Sequence, residues 1–316
     1  MKLQFVVSDQ TNPFLNIAVE NYLLSLEEHD AVTLYLWRNR RTVVIGQNQN
    51  PYAECNVEML EADGGFLMRR RTGGGAVYHD EGNLNFSFVV SKPLYDRVKH
   101  FEVLCKAVAD FGIVTEVSGR NDVLAEGRKF SGNAFCIGRH RDLHHGTILI
   151  HSNMDDLKRY LKPKPSKLLK HGVASVQSRV VNLASLNASI TAESIQPHLL
   201  RAFEEEYGQK VERLDFATLS KLPEVCRLRD EFASDEWRLG GWRSFSAQRS
   251  GQFEWGEVEL SLTIGNNRVI GVEIASDALD IDAIERAKAL LIGADLAVRP
   301  RCGEKVVGDI LSLVYG

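Results

Sequence analysis

The chain has 316 residues, of which 44% are hydrophobic and 25% charged, with a net charge of −4 and an isoelectric point near 6.2. These values fit a globular protein with room for one large domain and a small one, and exclude the basic excess that general nucleic-acid or anionic-membrane binding requires. No apolar run approaches the roughly 20 residues of a membrane span, and no Arg-rich leader precedes the first strand, so the expectation is a soluble cytoplasmic protein.

The elements read as follows. Met1–Asp9 is a strand, and Asn12 caps a helix running from Pro13 to about Leu26. Ala31–Trp37 and Thr42–Gly46 read as strands joined by the basic turn Arg38–Arg41. Tyr52–Ala62 reads as one helix, stopped by Gly64 and Gly65. A strand at Gly65–Met68 then leads into Arg69-Arg70-Arg71-Thr72-Gly73-Gly74-Gly75-Ala76-Val77-Tyr78-His79-Asp80, followed by the alternating run Asn83–Val90. Glycines without Cβ let a ligand approach the main chain, and free N–H groups beside arginines form an anion site. The same residues also suit a tight turn with a solvated arginine patch. The spacing matches neither the P-loop nor the dinucleotide fingerprint, and by itself leaves both readings open.

Val98–Phe111 is an amphipathic helix, Val114–Val117 a strand, and Asp122–Ile137 a hairpin turning at Ala125-Glu126-Gly127. Leu143–His151 is a strand and Met154–Leu161 a helix. Between Asp156 and Glu193 no acidic residue occurs, whereas Lys158, Arg159, Lys162, Lys164, Lys167, Lys170 and Arg179 do. A loop of one sign focuses anions even on an acidic protein, although a solvated charge run is the other reading. Thr191 caps a helix over Ala192–Tyr207, and a further helix spans Val225–Phe232. A second unit starts near Phe245: strands at Gln252–Ile264 and Val269–Ala275 around the turn Gly265–Arg268, then a helix at Ile281–Leu291. Interleaved helices and hairpin-linked strands indicate an α+β fold with a mixed or antiparallel sheet and flanking helices. The expected division is residues 1–244 and a small α+β accessory domain at 245–316.

Several residue types could carry chemistry. Lys129 lies on a strand beside Gly132, where an inward lysine needs an anion to meet it and an outward one is ordinary. His144 and His145 are adjacent, so on a strand they face opposite ways, and no third ligand at a useful spacing completes a metal site. Cys55, Cys105, Cys136, Cys226 and Cys302 are scattered and odd in number, which is the usage of a reducing compartment.

Four stretches in this order resemble the lipoate–protein ligase A family of the biotin/lipoate ligase superfamily: Arg69–Asp80 with Gly82–Phe88; Gly119–Asp122 with Arg128–Ala134; Leu143–Thr147; and Gly172–Arg179 with Val180–Leu183. The resemblance runs from about Ser8 to Leu183, and the small C-terminal unit is similar to the family's accessory domain. It implies a biotin/lipoate ligase-like catalytic domain that activates lipoate with ATP and Mg2+ to lipoyl-AMP. The lipoyl group then passes to one lysine of a lipoyl domain of a 2-oxoacid dehydrogenase complex or of the glycine-cleavage H protein. By the same resemblance Lys129 is catalytic, and ATP is met by Arg70, Gly75, Ala76, Val77, Tyr78, Asn121, Asp122 and Lys129. Lipoate is met by Gly73, Gly74, Gly75, Lys129, His145 and Thr147, and Gly172, Ser175, Val176, Ser178 and Arg179 form a loop that closes over the adenylate. No resident metal site is implied, and a monomer is expected. Thr72 stands where the family often has serine, keeping the hydroxyl. Cys136 follows the lysine motif closely. It therefore raises the alternative of an octanoyl or lipoyl transferase working through a cysteine thioester, and a non-catalytic lipoate-binding module is the other alternative.

Overall fold

The computed structural model describes residues 1–119, 121–162, 180–240, 247–265 and 268–315. Its strands are β1 (Lys2–Val7), β2 (Ala31–Trp37), β3 (Thr42–Ile45), β4 (Phe66–Arg69) and β5 (Val77–His79). Next come β6 (Asn83–Ser91), β7 (Thr115–Ser118), β8 (Asp122–Ala125), β9 (Arg128–Ile137) and β10 (Arg141–Leu149). The last are β11 (Glu212–Arg213), β12 (Ala247–Phe253), β13 (Gly256–Gly265) and β14 (Arg268–Ser276).

Eight of them form one mixed sheet in the order β11-β1-β2-β6-β10-β9-β8-β7. Every residue of β2 and β6 is buried, which requires both faces of the sheet to be covered. Leu34, Leu36, Phe86 and Phe88 face the helices Arg97–Ala109 and Gln196–Tyr207. Tyr35, Trp37, Val89 and Leu143 face the helices Pro13–Ser25 and Pro223–Ala233. Asn12 caps the first helix as its sequence demands, its side chain accepting from the N–H groups of Phe14 and Leu15. The architecture is α+β.

A second sheet, β4-β3-β5, lies over the sheet face that carries Trp37. β3 pairs in parallel with β4 and antiparallel with β5, so β4 and β5 flank it without touching each other. The glycine stretch is therefore a bridge across the end of β3 rather than a hairpin turn. The third sheet, β12-β13-β14, packs on the helices Ile281–Leu291 and Lys305–Tyr315 around a core of its own.

Some local expectations change. Tyr52–Ala62 is two short helices, Pro51–Glu54 and Val57–Ala62, because Cys55 between them is extended and bridges to Leu161. Thr191 caps only a turn, accepting from Ser194 N–H at 2.9 Å, and the helix proper begins at Gln196 with Pro197 in its first turn. The expected strand at Gln252 is the end of β12, which turns back at Glu254-Trp255. The expected domain boundary at 244/245, the loop Lys164–Arg179 and the turn Asn266-Asn267 lie outside the described residues.

Core histidines make the fold acid-sensitive, His79 and His100 among them. His100 stacks on Phe88 with ring centroids 4.4 Å apart, and His79 lies beneath the bridge loop; burial pulls each down to about 3. Below pH 6.5 the unfolded chain binds protons at these positions that the folded chain refuses. Stability is thus complete above pH 6.5 and falls as the pH drops towards 3, by up to about 1.4 kcal/mol per pH unit for each ring. Chemical denaturation from pH 7 to 4 measures this. A flat profile contradicts it, and His100→Phe should reduce the slope.

Candidate active site

The three arginines before the glycines have different fates. Arg69 donates to the carbonyls of Gln47 and Gln49, each at 2.7 Å, and to those of Trp237 and Arg238 at 2.9 and 3.1 Å. Arg71 pairs with Glu231 at 2.7 Å and lies over the rings of Phe232 and Trp237. Arg70, 6% exposed, turns back on its own loop: Nη2 donates to the carbonyls of Gly73 and Gly75, both at 2.8 Å, and Nε to Thr72 Oγ1 at 2.9 Å. Its Nη1 reaches the carbonyl of Val44 at 3.3 Å. Burial pulls Arg69 and Arg70 down to about 10, and both remain cations at neutral pH. All three cations fasten the loop to protein acceptors.

The glycines also differ. Gly74 has φ +95°, a left-handed backbone, and a Cβ there would lie 2.9 Å from Arg70 Nη2. A Cβ on Gly73 would stand 1.9 Å from the carbonyl oxygen of Ala278, in the C-terminal unit. The Gly74 N–H donates to that same carbonyl at 3.2 Å. A Cβ on Gly75 would meet nothing within 4 Å.

A buried chain of polar groups supports the loop from below. Glu20, 1% exposed on the first helix, accepts from Ser87 Oγ and lies 2.8 Å from His145 Nδ1. His145 Nε2 is 2.9 Å from Thr72 Oγ1, which receives Arg70. With the imidazole proton on Nδ1 the donors run one way, from the Arg70 cation through Thr72 and His145 to the Glu20 carboxylate. Each buried charge thus has an opposite charge at the far end of a hydrogen-bonded chain.

Lys129 approaches from the opposite side. Register shifts between Val123 and Leu124 leave Phe130 as an extra residue in β9, a bulge of the kind that re-aims side chains. The Lys129 Nζ lies 2.7 Å from Asp122 Oδ1, and its stem folds over Gly132, where a Cβ would come within 2.9 Å of Nζ. Gly132 N–H donates to Thr147 Oγ1 at 3.2 Å. The bridge loop, Lys129 and β10 together enclose a cavity of about 400 Å³. Trp37, Val44 and Met68 make its floor apolar, and Trp255, Asp277 and Leu279 of the C-terminal unit close one wall. The arrangement suits an amphipathic acid: an apolar channel ending at a lysine and at glycine main chain.

Comparison with known proteins decides the family. The Lipoyl protein ligase A/B catalytic domain profile matches residues 12–204, and the Bacterial lipoate protein ligase C-terminus profile matches residues 243–298. This chain belongs to the lipoyl protein ligase A/B family. It is 40% identical over 298 residues to the lipoate-protein ligase A of Psychrobacter cryohalolentis, covering 92% of this chain and 88% of that protein. The structure of P. falciparum LipL1 in complex with lipoate is similar at TM-score 0.84 and 29% identity over 99% of both chains. A lipoate-protein ligase A bound with ATP is similar at 0.63 and 25%, covering 76% of this chain and 99% of the other. One chain of the bipartite lipoate protein ligase and E2 lipoyl domain system of Thermoplasma acidophilum is similar at 0.65 and 26%, covering 78% and 100%.

Of the residues expected at this ligase site, Arg70, Gly74, Gly75, Ala76 and Val77 line the cavity together with Asn121, Asp122, Lys129, His145 and Thr147. Gly73 and Tyr78 do not. Gly73 faces Ala278, and the Tyr78 ring is buried beside Tyr160 with its hydroxyl 3.3 Å from Asp156, on the far side of β5. Arg70, expected at the nucleotide, has its donors directed at the loop carbonyls. Gly172, Ser175, Val176, Ser178 and Arg179 lie outside the described residues. Cys136 is absent from the cavity lining: its thiol packs with the apolar cluster around Leu143, and burial pushes it up to about 11. Sequence reasoning missed Glu20, Trp37 and His79. Glu20 had left a signal, a lone acid beside Ile17, Ala18 and Asn21 on the buried stripe of the first helix.

The glycine geometry separates two neighbouring substitutions. Gly73→Ala should force the loop off Ala278, lowering the melting temperature and loosening the C-terminal unit to proteolysis. Gly75→Ala meets no protein atom, so the melting temperature should hold while affinity for an acyl ligand falls. Equal melting temperatures for the two variants would contradict the assignment.

Proposed function

We propose that the chain is an ATP-dependent lipoate–protein ligase. The observation that carries this reading is the convergence of the bridge loop, Lys129 with Asp122, and the His145–Thr147 segment on one cavity with an apolar floor. A carboxylate oxygen of lipoate attacks the α-phosphorus of ATP, the bond to the bridging oxygen breaks, and pyrophosphate leaves with the electron pair. The Lys129 Nζ is placed to balance the negative charge that the carboxylate and α-phosphate bring together. Its resting partner is Asp122, a contact that holds the ammonium at the cavity wall until the substrates arrive. In the second step the amine of an acceptor lysine attacks the acyl carbon, AMP departs with the bonding pair, and the ammonium proton passes to solvent.

Among the described residues no group of three or more His, Cys, Asp or Glu side chains could hold a metal ion. Magnesium fits this site as a companion of the ATP phosphates, with Asp122 the cavity carboxylate nearest Lys129, since magnesium keeps waters and takes one or two carboxylates beside phosphates. We assign lipoyl domains of 2-oxoacid dehydrogenase complexes and the glycine-cleavage H protein as acceptors. This is supported by the lipoyl domain accompanying the Thermoplasma ligase. A monomer in the cytoplasm completes the reading; no helix among the described residues is long and apolar enough to cross a membrane.

The direct test is incubation with lipoate, magnesium-ATP and an apo lipoyl domain, followed by intact mass of the acceptor. A shift by one lipoyl group that needs all three is expected. No shift, or a shift without ATP, overturns the reading. Lys129→Ala should slow adenylate formation about 100- to 1,000-fold with the fold intact, as for loss of one charge-stabilising donor. Near-normal pyrophosphate release would remove Lys129 from the reaction.

Cys136→Ala should ligate at the normal rate. A thioester route needs a thiolate with a base beside it, whereas this thiol is half-buried, pushed up to about 11 by burial, and outside the cavity. An acyl-thioester adduct in the wild type that disappears in Cys136→Ala would establish the transferase instead.

A further inference from the structure

His144 and His145 sit side by side on β10 and serve opposite faces of the sheet. His145 belongs to the chain beneath the bridge loop. His144 points the other way, into the core under the helix Arg97–Ala109, and is fully buried, as is His100 on that helix. Two imidazoles in an apolar core need partners for their nitrogens. Here the partners form one line that ends at the cavity wall. His144 Nδ1 lies 3.2 Å from His100 Nδ1, and His144 Nε2 lies 2.9 Å from Asn133 Oδ1. Asn133 Nδ2 donates to the main-chain carbonyl of Asn121 at 3.0 Å, and Asn133 N–H donates to the same oxygen at 2.9 Å. Asn121 Nδ2 returns a bond to the Asn133 carbonyl at 2.9 Å.

The proton positions follow. Asn133 uses its amide nitrogen on a carbonyl, so its Oδ1 accepts, and His144 must carry its proton on Nε2. His144 Nδ1 is then a lone pair and His100 donates from Nδ1. That leaves His100 Nε2 as a lone pair, and this atom is buried with no partner among the described residues. Burial holds both rings neutral, with His100 down to about 3 and His144 well below its ordinary value. Gly146 is part of the same device: a Cβ there would stand 2.7 Å from Asn133 Oδ1, so the missing side chain gives the amide its path across the strand.

We propose that His144, its Nδ1 lone pair met by His100 and its Nε2 proton directed at Asn133, is a positioning residue for the adenylation step: it orients the Asn133 amide, which pins Asn121 and hence Asp122 and Lys129 at the cavity. This rests on the assignment of Asp122 and Lys129 to the nucleotide side. Asn121 occupies the turn from β7 to β8 at the sheet's edge, where a turn without a tertiary bracket opens readily. Fixing it through a buried imidazole ties the cavity wall to the rigid centre of the sheet.

The test compares His144→Gln, whose amide nitrogen takes the place of Nε2 and still donates, with His144→Leu, which fills the space and cannot. Adenylate formation gives the KM for ATP and kcat, melting temperatures run in parallel, and nitrogen NMR of labelled histidine reads the wild-type tautomers. We expect His144→Gln to stay within about threefold of wild type and His144→Leu to raise the KM for ATP about tenfold or more, the worth of one hydrogen bond to a positioned group. The spectra should show His144 protonated on Nε2 and His100 on Nδ1. Identical kinetics for the two variants, with or without a loss of melting temperature, overturn the proposal, as does a proton on His144 Nδ1. A wild type that forms no adenylate would defeat the ligase reading instead, and the tautomer spectra would still decide the bracket.

Discussion

A guanidinium sealed from water must find acceptors nearby, and Arg70 finds them in the loop that follows it. The cost of burying this cation is offset only if the carbonyls of Gly73 and Gly75 stay turned towards it. That requirement fixes the loop. Gly74 takes a left-handed backbone between those two carbonyls, and a side chain there would press on the guanidinium itself. The Glu20 carboxylate answers the charge through His145 and Thr72, so the first helix, the main sheet and the bridge loop are tied by one polar chain. The cavity is the space this chain leaves open between the loop and the sheet.

The C-terminal unit is joined to the same loop. It has its own core, yet the Ala278 carbonyl accepts from Gly74 N–H and the Ser276 N–H donates to the Asn48 carbonyl. Trp255, Asp277 and Leu279 then stand in the cavity wall. Two glycines of the triplet thus serve neighbours within the protein, Gly74 the buried arginine and Gly73 the second unit. Gly75 is the one with open space in front of it.

Much of this was legible in the sequence, because local signals and tertiary structure agree there. The cap at Asn12 and the hairpin with Glu126 and Gly127 both at positive φ follow from residue types and order, whereas the convergence of Lys129 with the bridge loop was implied by the family resemblance. The arginines were not legible. Three adjacent cations look alike in sequence, but the strand end sends them to three environments, and none of the three needs an external anion. The break at Cys55 was hidden for a related reason: its pairing partner, Leu161, lies far along the chain. Glu20 stands out in the sequence as a lone acid on the buried stripe of the first helix, but its partner His145 is met only through the sheet.

The measurement closest to the central claim is calorimetric binding of lipoate to wild type and to Arg70→Lys. Lysine keeps the charge but cannot reach both loop carbonyls and Thr72 at once. The account predicts that Arg70→Lys retains native circular dichroism and loses lipoate affinity by about tenfold or more, because the loop no longer has its fixed shape. Native affinity in that variant would show that the loop holds its shape without the buried guanidinium, and would contradict the account.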